Sequence, residues 1–205
     1  MAIRILRASE RTAAAWKNGD GVTREIAAGP AGAGMADFDW RISLADVTKS
    51  GPFSGFRDVD RIITTAQGQG MELSVAGAPA AVIEPFAPFA FPGDAETGCR
   101  LLDGPVVNLN VMTRRGRASA TVQTVRAVHG VHRVHAVHAV RDRLALEAPP
   151  GGAVLAVALA GPADLTPHGI HLDRWDAALL TDGSAAVLRT QEVAAVVTLH
   201  GSDLA

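Results

Sequence analysis

Eleven consecutive residues, Trp16-Lys17-Asn18-Gly19-Asp20-Gly21-Val22-Thr23-Arg24-Glu25-Ile26, set an aromatic ring, a lysine, an amide, a hydroxyl and an Arg–Glu pair around two glycines. Such a mixture suits a pocket for a small polar ligand, which needs an apolar wall and a few convergent donors and acceptors. It equally suits a tight turn leading into a strand, with solvated charges on either side. Residues of equal parity share one face of a strand. Arg24 therefore goes with Val22 and Ile26, Arg61 with Ile63, and Asn108 and Asn110 with Val106 and Met112. Burying an ion on such a face costs on the order of several kcal/mol unless it is paired. Each of these groups then sits at a rim, faces a carboxylate (Glu25 or Asp39 in the case of Arg24) or is held for a ligand.

Histidine is concentrated elsewhere. The tract Val128-His129-Gly130-Val131-His132-Arg133-Val134-His135-Ala136-Val137-His138 repeats a Val-His-Xaa tripeptide. In a strand that spacing sends His129 and His135 to one face and His132 and His138 to the other, so four ligands do not converge. The tract reads as a low-complexity expansion. No histidine precedes His129, and the chain has no tyrosine. The polar cluster of the first half accordingly has neither a metal-ligand set nor a histidine base. No Gly-x-Ser-x-Gly elbow, P-loop or Gly-x-Gly-x-x-Gly fingerprint occurs in a strand–helix setting.

The elements that must position these residues are strands. Phe38, Trp40, Ile42 and Leu44 alternate with Asp39, Arg41 and Ser43, a period of two with one apolar and one polar face. Similar runs cover 61–66, 71–75, 80–83, 99–102, 106–112, 118–128, 154–159, 177–180, 185–189 and 194–199, separated by Gly, Pro and Asp turns. Many short strands closed this way point to an all-β sandwich or barrel. Only the stretch 164–176 and the first turn after Arg7 invite a short helix. A faint duplication relates 62–112 to 154–199, each half reading strand, glycine turn, strand, long loop, hairpin. Two fused barrels, meeting between about Gly116 and Val128, account for it.

Composition sets the bounds. The 205 residues are 48% hydrophobic and 20% charged, with a net charge of −2. That supplies a core but no basic footprint for nucleic acid or anionic lipid. A single cysteine, Cys99, excludes an internal disulfide and suits a reducing cytoplasm. No leader and no apolar run of membrane-spanning length are visible, so no membrane partner is expected.

Several of these motifs converge on one family. Trp16-Lys17-Asn18-Gly19 with Gly21–Ile26, Phe38–Ala45, Gly51-Pro52-Phe53-Ser54-Gly55-Phe56, Asp60-Arg61, Phe89–Asp94, Leu102–Pro105, Asn108–Met112 and Arg114-Arg115-Gly116 resemble the HutD/Ves family, in the family's order. Beyond them, Asp173–Leu180 carries most of the signal. The resemblance implies a bicupin, two fused cupin-type β-barrels with little helix. Here 1–120 would hold the motifs and pocket, and 121–205 a degenerate second barrel. It also implies a link to histidine utilisation, with a regulatory role exerted by binding a metabolite such as formiminoglutamate or urocanate. Metal-using cupins carry a His-x-His motif and a later histidine. The matching strands 53–66 and 91–112 contain none, so a metal-free first barrel and no cofactor are expected. Asp20 stands where the family usually has glycine, and Asn108 where it typically has aspartate.

The expectation is therefore a binding protein for a small carboxylate metabolite. Lys17, Arg24, Arg41 and Arg61 would hold the acid, since guanidinium groups grip carboxylates bidentately. Asn18, Thr23, Ser43, Ser54, Asn108 and Asn110 would read its polar end, Glu25 would orient an arginine or accept an N–H, and Trp16, Trp40, Phe53 and Phe91 would form the wall. The alternative is a metal-independent isomerase or hydrolase using Glu25 or Lys17 as acid or base. A purely structural role would instead show the arginines neutralised by internal carboxylates. A homodimer could form through the edge strand Ile3–Leu6.

Overall fold

Strand follows strand along nearly the whole chain in a computed structural model that describes residues 2–16, 21–127 and 142–201. Lys17, Asn18 and the His129–His138 tract lie outside the described residues. The first half of the chain contains β1 (Ala2–Leu6), β2 (Ala13–Ala15), β3 (Gly21–Gly29), β4 (Trp40–Val47), β5 (Gly51–Pro52) and β6 (Val59–Gln67). It continues with β7 (Met71–Val75), β8 (Ala81–Ile83), β9 (Pro88–Pro92), β10 (Thr97–Leu101), β11 (Val106–Arg114) and β12 (Ala118–Arg126). The second holds β13 (Arg143–Glu147), β14 (Ala153–Ala158), β15 (Ala163–Thr166), β16 (Ile170–Leu172), β17 (Ala177–Thr181), β18 (Ala185–Thr190) and β19 (Val193–Gly201).

These strands make four antiparallel sheets. In the first barrel, β2-β3-β4-β11-β6-β9 faces β5-β10-β7-β8; in the second, β1-β17-β14-β19-β12 faces β13-β18-β15-β16. The duplication read from the sequence is visible as topology. The order β4-β11-β6-β9 repeats as β12-β19-β14-β17, and β5-β10-β7-β8 repeats as β13-β18-β15-β16.

Three apolar layers hold the sheets together. Val47, Ile63, Val106, Met71, Leu73 and Cys99 fill the first barrel. Val154, Ala156, Leu165, Leu180, Leu188 and Val196 fill the second. Between the barrels, Trp40, Ile42, Leu44, Leu109 and Val111 of one sheet meet Leu155, Val157, Leu179, Val197 and Leu199 of the other. The apolar face of β4 is thus turned toward the second barrel, and its other face, with Arg41, Ser43 and Ala45, turns into the first. Trp40, expected as pocket wall, belongs to the layer between barrels, where a Cβ on Gly29 would strike its indole Nε1.

Two other expectations change. The stretch 164–176 forms no helix: β15 and β16 make a hairpin there, closed by Pro167-His168-Gly169 with Gly169 at φ +64°. Ala163, Leu165 and Leu172 are completely buried, and that period-two burial outweighs local helix propensity. The only helical turn among the described residues is a 3-10 turn at Ala8–Glu10. The boundary expected at residue 120 also differs from the sheets. The strand β1 is an edge strand of the second barrel, in register with β17 from Ala2↔Thr181 to Leu6↔Ala177, and β12 runs across residue 120 in the same sheet.

Leu109 and Leu155 are both 0% exposed in the layer between the barrels. Leu109→Ala or Leu155→Ala should each cost about 2–5 kcal/mol in urea denaturation. Because both barrels share this layer, tryptophan fluorescence and far-UV dichroism should report one coincident transition.

Candidate functional site

A cavity of about 480 Å³ opens into the first barrel. Its floor is the inward face of β4, β11 and β6, and strand register sets the floor in rows. Glu25, Ser43, Asn110 and Ile63 form one row, Thr23, Ala45, Asn108 and Thr65 the next, and Arg41, Met112 and Arg61 lie on the other side. Loops supply the walls: Pro52, Phe53, Ser54 and Phe56 on one side, Met35 and Trp16 on others. The Trp16 indole is held in place by donating from Nε1 to Thr23 Oγ1 at 2.7 Å.

Arg61 dominates the chemistry. Its residue is only 8% exposed. Nε and Nη2 donate to Asn110 Oδ1 at 3.2 and 3.0 Å, and Nη1 reaches the Ser54 carbonyl at 3.4 Å. Three rings surround the guanidinium, with Cζ 5.0, 5.3 and 5.5 Å from the centroids of Phe91, Phe53 and Phe56. Their π faces recover part of the lost hydration. No carboxylate among the described residues forms an ion pair with it. Burial pulls its pKa down to about 10, so it remains a cation at neutral pH. Gly93 gives its stem room, since a Cβ there would lie 3.1 Å from Arg61 Cγ and Cδ.

The other candidates separate into groups. Thr23, Arg41, Ser43, Ser54, Asn108 and Asn110 line the cavity with Arg61. Arg41 donates from Nε to Glu25 Oε2 at 2.8 Å, so Glu25 does orient an arginine, although it is not itself lining. Arg24 is in register with Leu44 on the opposite face and donates to Asp46 Oδ2 at 2.7 Å. Its parity with Ile26 is real, but that face turns away from the cavity. Of the three candidate arginines, Arg24 and Arg41 are thus neutralised by carboxylates and Arg61 is not. Phe91 acts on the guanidinium rather than on the cavity surface. Phe56 and Met35 were not singled out as wall. The first had a signal in its Phe-Ser-Gly-Phe motif, but an irregular loop offers no parity; Met35, in a Gly/Ala-rich loop, had none.

Beside the site, Arg115 clamps Asp60 at 2.8 Å and Asp94 at 2.7 and 2.9 Å. Hydrogen bonding to Arg115 holds the Asp94 carboxyl down to about 2. No group of three or more His, Cys, Asp or Glu side chains among the described residues could hold a metal ion. No helix of the described residues is long and apolar enough to cross a membrane.

Comparison with known proteins bears on this geometry. The HutD family model matches residues 8–198. This chain belongs to the HutD family. As a HutD protein it is a bicupin, and it superposes on HutD from Pseudomonas fluorescens SBW25 with a TM-score of 0.79, at 32% identity over 98% of this chain and 99% of that one. An uncharacterised 21.2 kDa protein in the hutC 3′ region of Pseudomonas putida is 41% identical over 59% of this chain and 63% of its own length. Protein Ves of Citrobacter koseri is 38% identical over 53% of this chain and 56% of its own length. The matches to these two relatives therefore span less than two thirds of either relative.

Two expectations follow for this HutD chain. Removing a buried, uncompensated cation together with Asn110, its main hydrogen-bond partner, leaves only the part-buried Ser54 carbonyl without its long 3.4 Å contact. The double variant Arg61→Met/Asn110→Leu should be at least as stable as the parent in urea denaturation. Asp94 has a depressed folded-state pKa, so its stabilisation is present above the ordinary value of 3.8 and lost as pH falls through about 2. An NMR titration should place its midpoint near 2, and Arg115→Ala should return it toward the ordinary value.

Proposed function

We propose that this protein binds a small carboxylate metabolite in the first barrel and acts as a metal-independent regulatory sensor in histidine utilisation. The observation that carries the reading is Arg61, a desolvated guanidinium in a cavity whose described lining contains no carboxylate. A ligand carboxylate supplies the missing counter-charge and accepts two parallel N–H bonds. The Phe53 and Phe56 rings give it an apolar wall, and the amides and hydroxyls of the floor read its polar end. The link to histidine utilisation rests on membership of the HutD family and on the hutC-region relative. The link to histidine utilisation suggests formiminoglutamate, urocanate and formylglutamate as candidates, and of these formylglutamate is an acid whose far end carries no positive charge.

The test is thermal unfolding of metal-stripped protein with formiminoglutamate, formylglutamate, urocanate, histidine and glutamate. A ligand at about 100 times its Kd adds roughly 2.7 kcal/mol of stability, so one of the acids should raise Tm visibly. Arg61→Ala should abolish that shift, and the bound acid should be recovered unchanged after hours with chelator. No shift with any acid would refute the sensor.

A further inference from the structure

The cavity is charged at one end and neutral at the other. Its described lining contains two guanidinium groups, Arg41 and Arg61, and no carboxylate; the carboxylate of Glu25 is already engaged by Arg41. Besides Thr65 Oγ1, which is unpartnered but does not line the cavity, two neutral groups of lining residues next to Arg61 and Asn110 have no partner among the described residues. They are Ser43 Oγ and Asn108 Oδ1, in residues 1% and 3% exposed. Register places Ser43 opposite Asn110 and Asn108 opposite Ala45, so the two are diagonal neighbours on adjacent strands, both lining the cavity. Asn108 is two residues from Asn110 along β11, a separation of about 6–7 Å. Buried polar atoms without partners are uncommon in folded proteins, and a pair facing one cavity asks for a ligand group.

We infer that Ser43 and Asn108 form a neutral second subsite that selects acids by the charge of their far end. This rests on reading Arg61 as the carboxylate anchor. An uncharged N–H-bearing group, such as an amide or ureide, satisfies the amide of Asn108 and the Ser43 hydroxyl and brings no charge into the cavity. A cationic far end loses its hydration, finds no carboxylate on the described walls and feels the repulsion of Arg61, whose charge is not neutralised. A carboxylate in place of the Asn108 amide would supply the missing counter-charge and invert the preference.

Two probes of nearly the same shape separate these cases: 3-ureidopropanoate and 3-guanidinopropanoate share a carboxylate and a chain length and differ in terminal charge. In calorimetric titrations the protein should bind the ureido acid roughly tenfold or more tightly than the guanidino acid. Asn108→Asp should reverse that order. Ser43→Ala should weaken the ureido acid several-fold without reversing it, which keeps the subsite testable if Asn108→Asp folds poorly. Equal or tighter binding of the guanidino acid by the unaltered protein overturns the inference, and so does an unchanged ratio in a folded Asn108→Asp variant. Arg61→Ala separates the two levels. If it abolishes binding of both acids, the anchor stands whatever the ratio. If neither acid binds the unaltered protein, the anchor and the subsite fall together.

Discussion

Arg61 carries its charge out of water without taking a carboxylate along, and the desolvation of an ion is among the largest penalties a fold can accept. The surroundings of the first barrel answer that penalty piece by piece. Asn110 turns its amide oxygen to two guanidinium nitrogens, the Ser54 carbonyl approaches a third, and Phe53, Phe56 and Phe91 present their rings. Gly93 gives way to the stem, and the clamp of Arg115 on Asp60 and Asp94 ties β6 to the turn that follows β9. Dipoles and rings stabilise a cation only in part. What they leave unmet is a negative charge, and the proposed carboxylate site rests on that shortfall.

The duplicated architecture makes clear how the second barrel differs. Its strands β14 and β19 stand where β6 and β11 stand in the first. Their inward residues are Val154, Ala156, Ala158, Ala194 and Val196, all in one aliphatic core. Where the first barrel has a guanidinium and two amides, the second has methyl groups. The second barrel is a packed block against which the floor of the cavity rests. Rigid support of this kind matters for a polar site, whose hydrogen bonds depend on side chains held to within a fraction of an ångström.

Period-two alternation makes most of the fold legible in the sequence. Among the described residues every long run read as a strand contains one, the run 118–128 as far as Arg126, and the topological repeat matches the duplication. Parity also placed Arg61, Asn108 and Asn110 on inward faces. It misled at Arg24 and Trp40 for a definite reason. The β4 sheet is covered on both sides, so an apolar face points to a neighbour without saying which one. Only the packing of Ile42 and Leu44 against Leu155 and Val157 reveals that the apolar side belongs to the layer between barrels. The 164–176 hairpin was missed because its strands are short and its Pro-His-Gly turn also fits a loop before a helix. Phe56 and Met35 come from irregular segments, where spacing carries no directional information.

The pairing of β1 with β17 joins Ala2 to Thr181. On the ribosome, Ala2–Leu6 emerges early, yet its partner Ala177–Thr181 is synthesised only after the whole first barrel and most of the second. This segment therefore waits for β17 while the whole first barrel and most of the second are made, and the closing contact has one of the largest sequence separations in the molecule. Such non-local closure slows folding, and until it occurs an apolar strand containing Ile3 and Ile5 has an open edge on both sides, the condition under which chains associate wrongly.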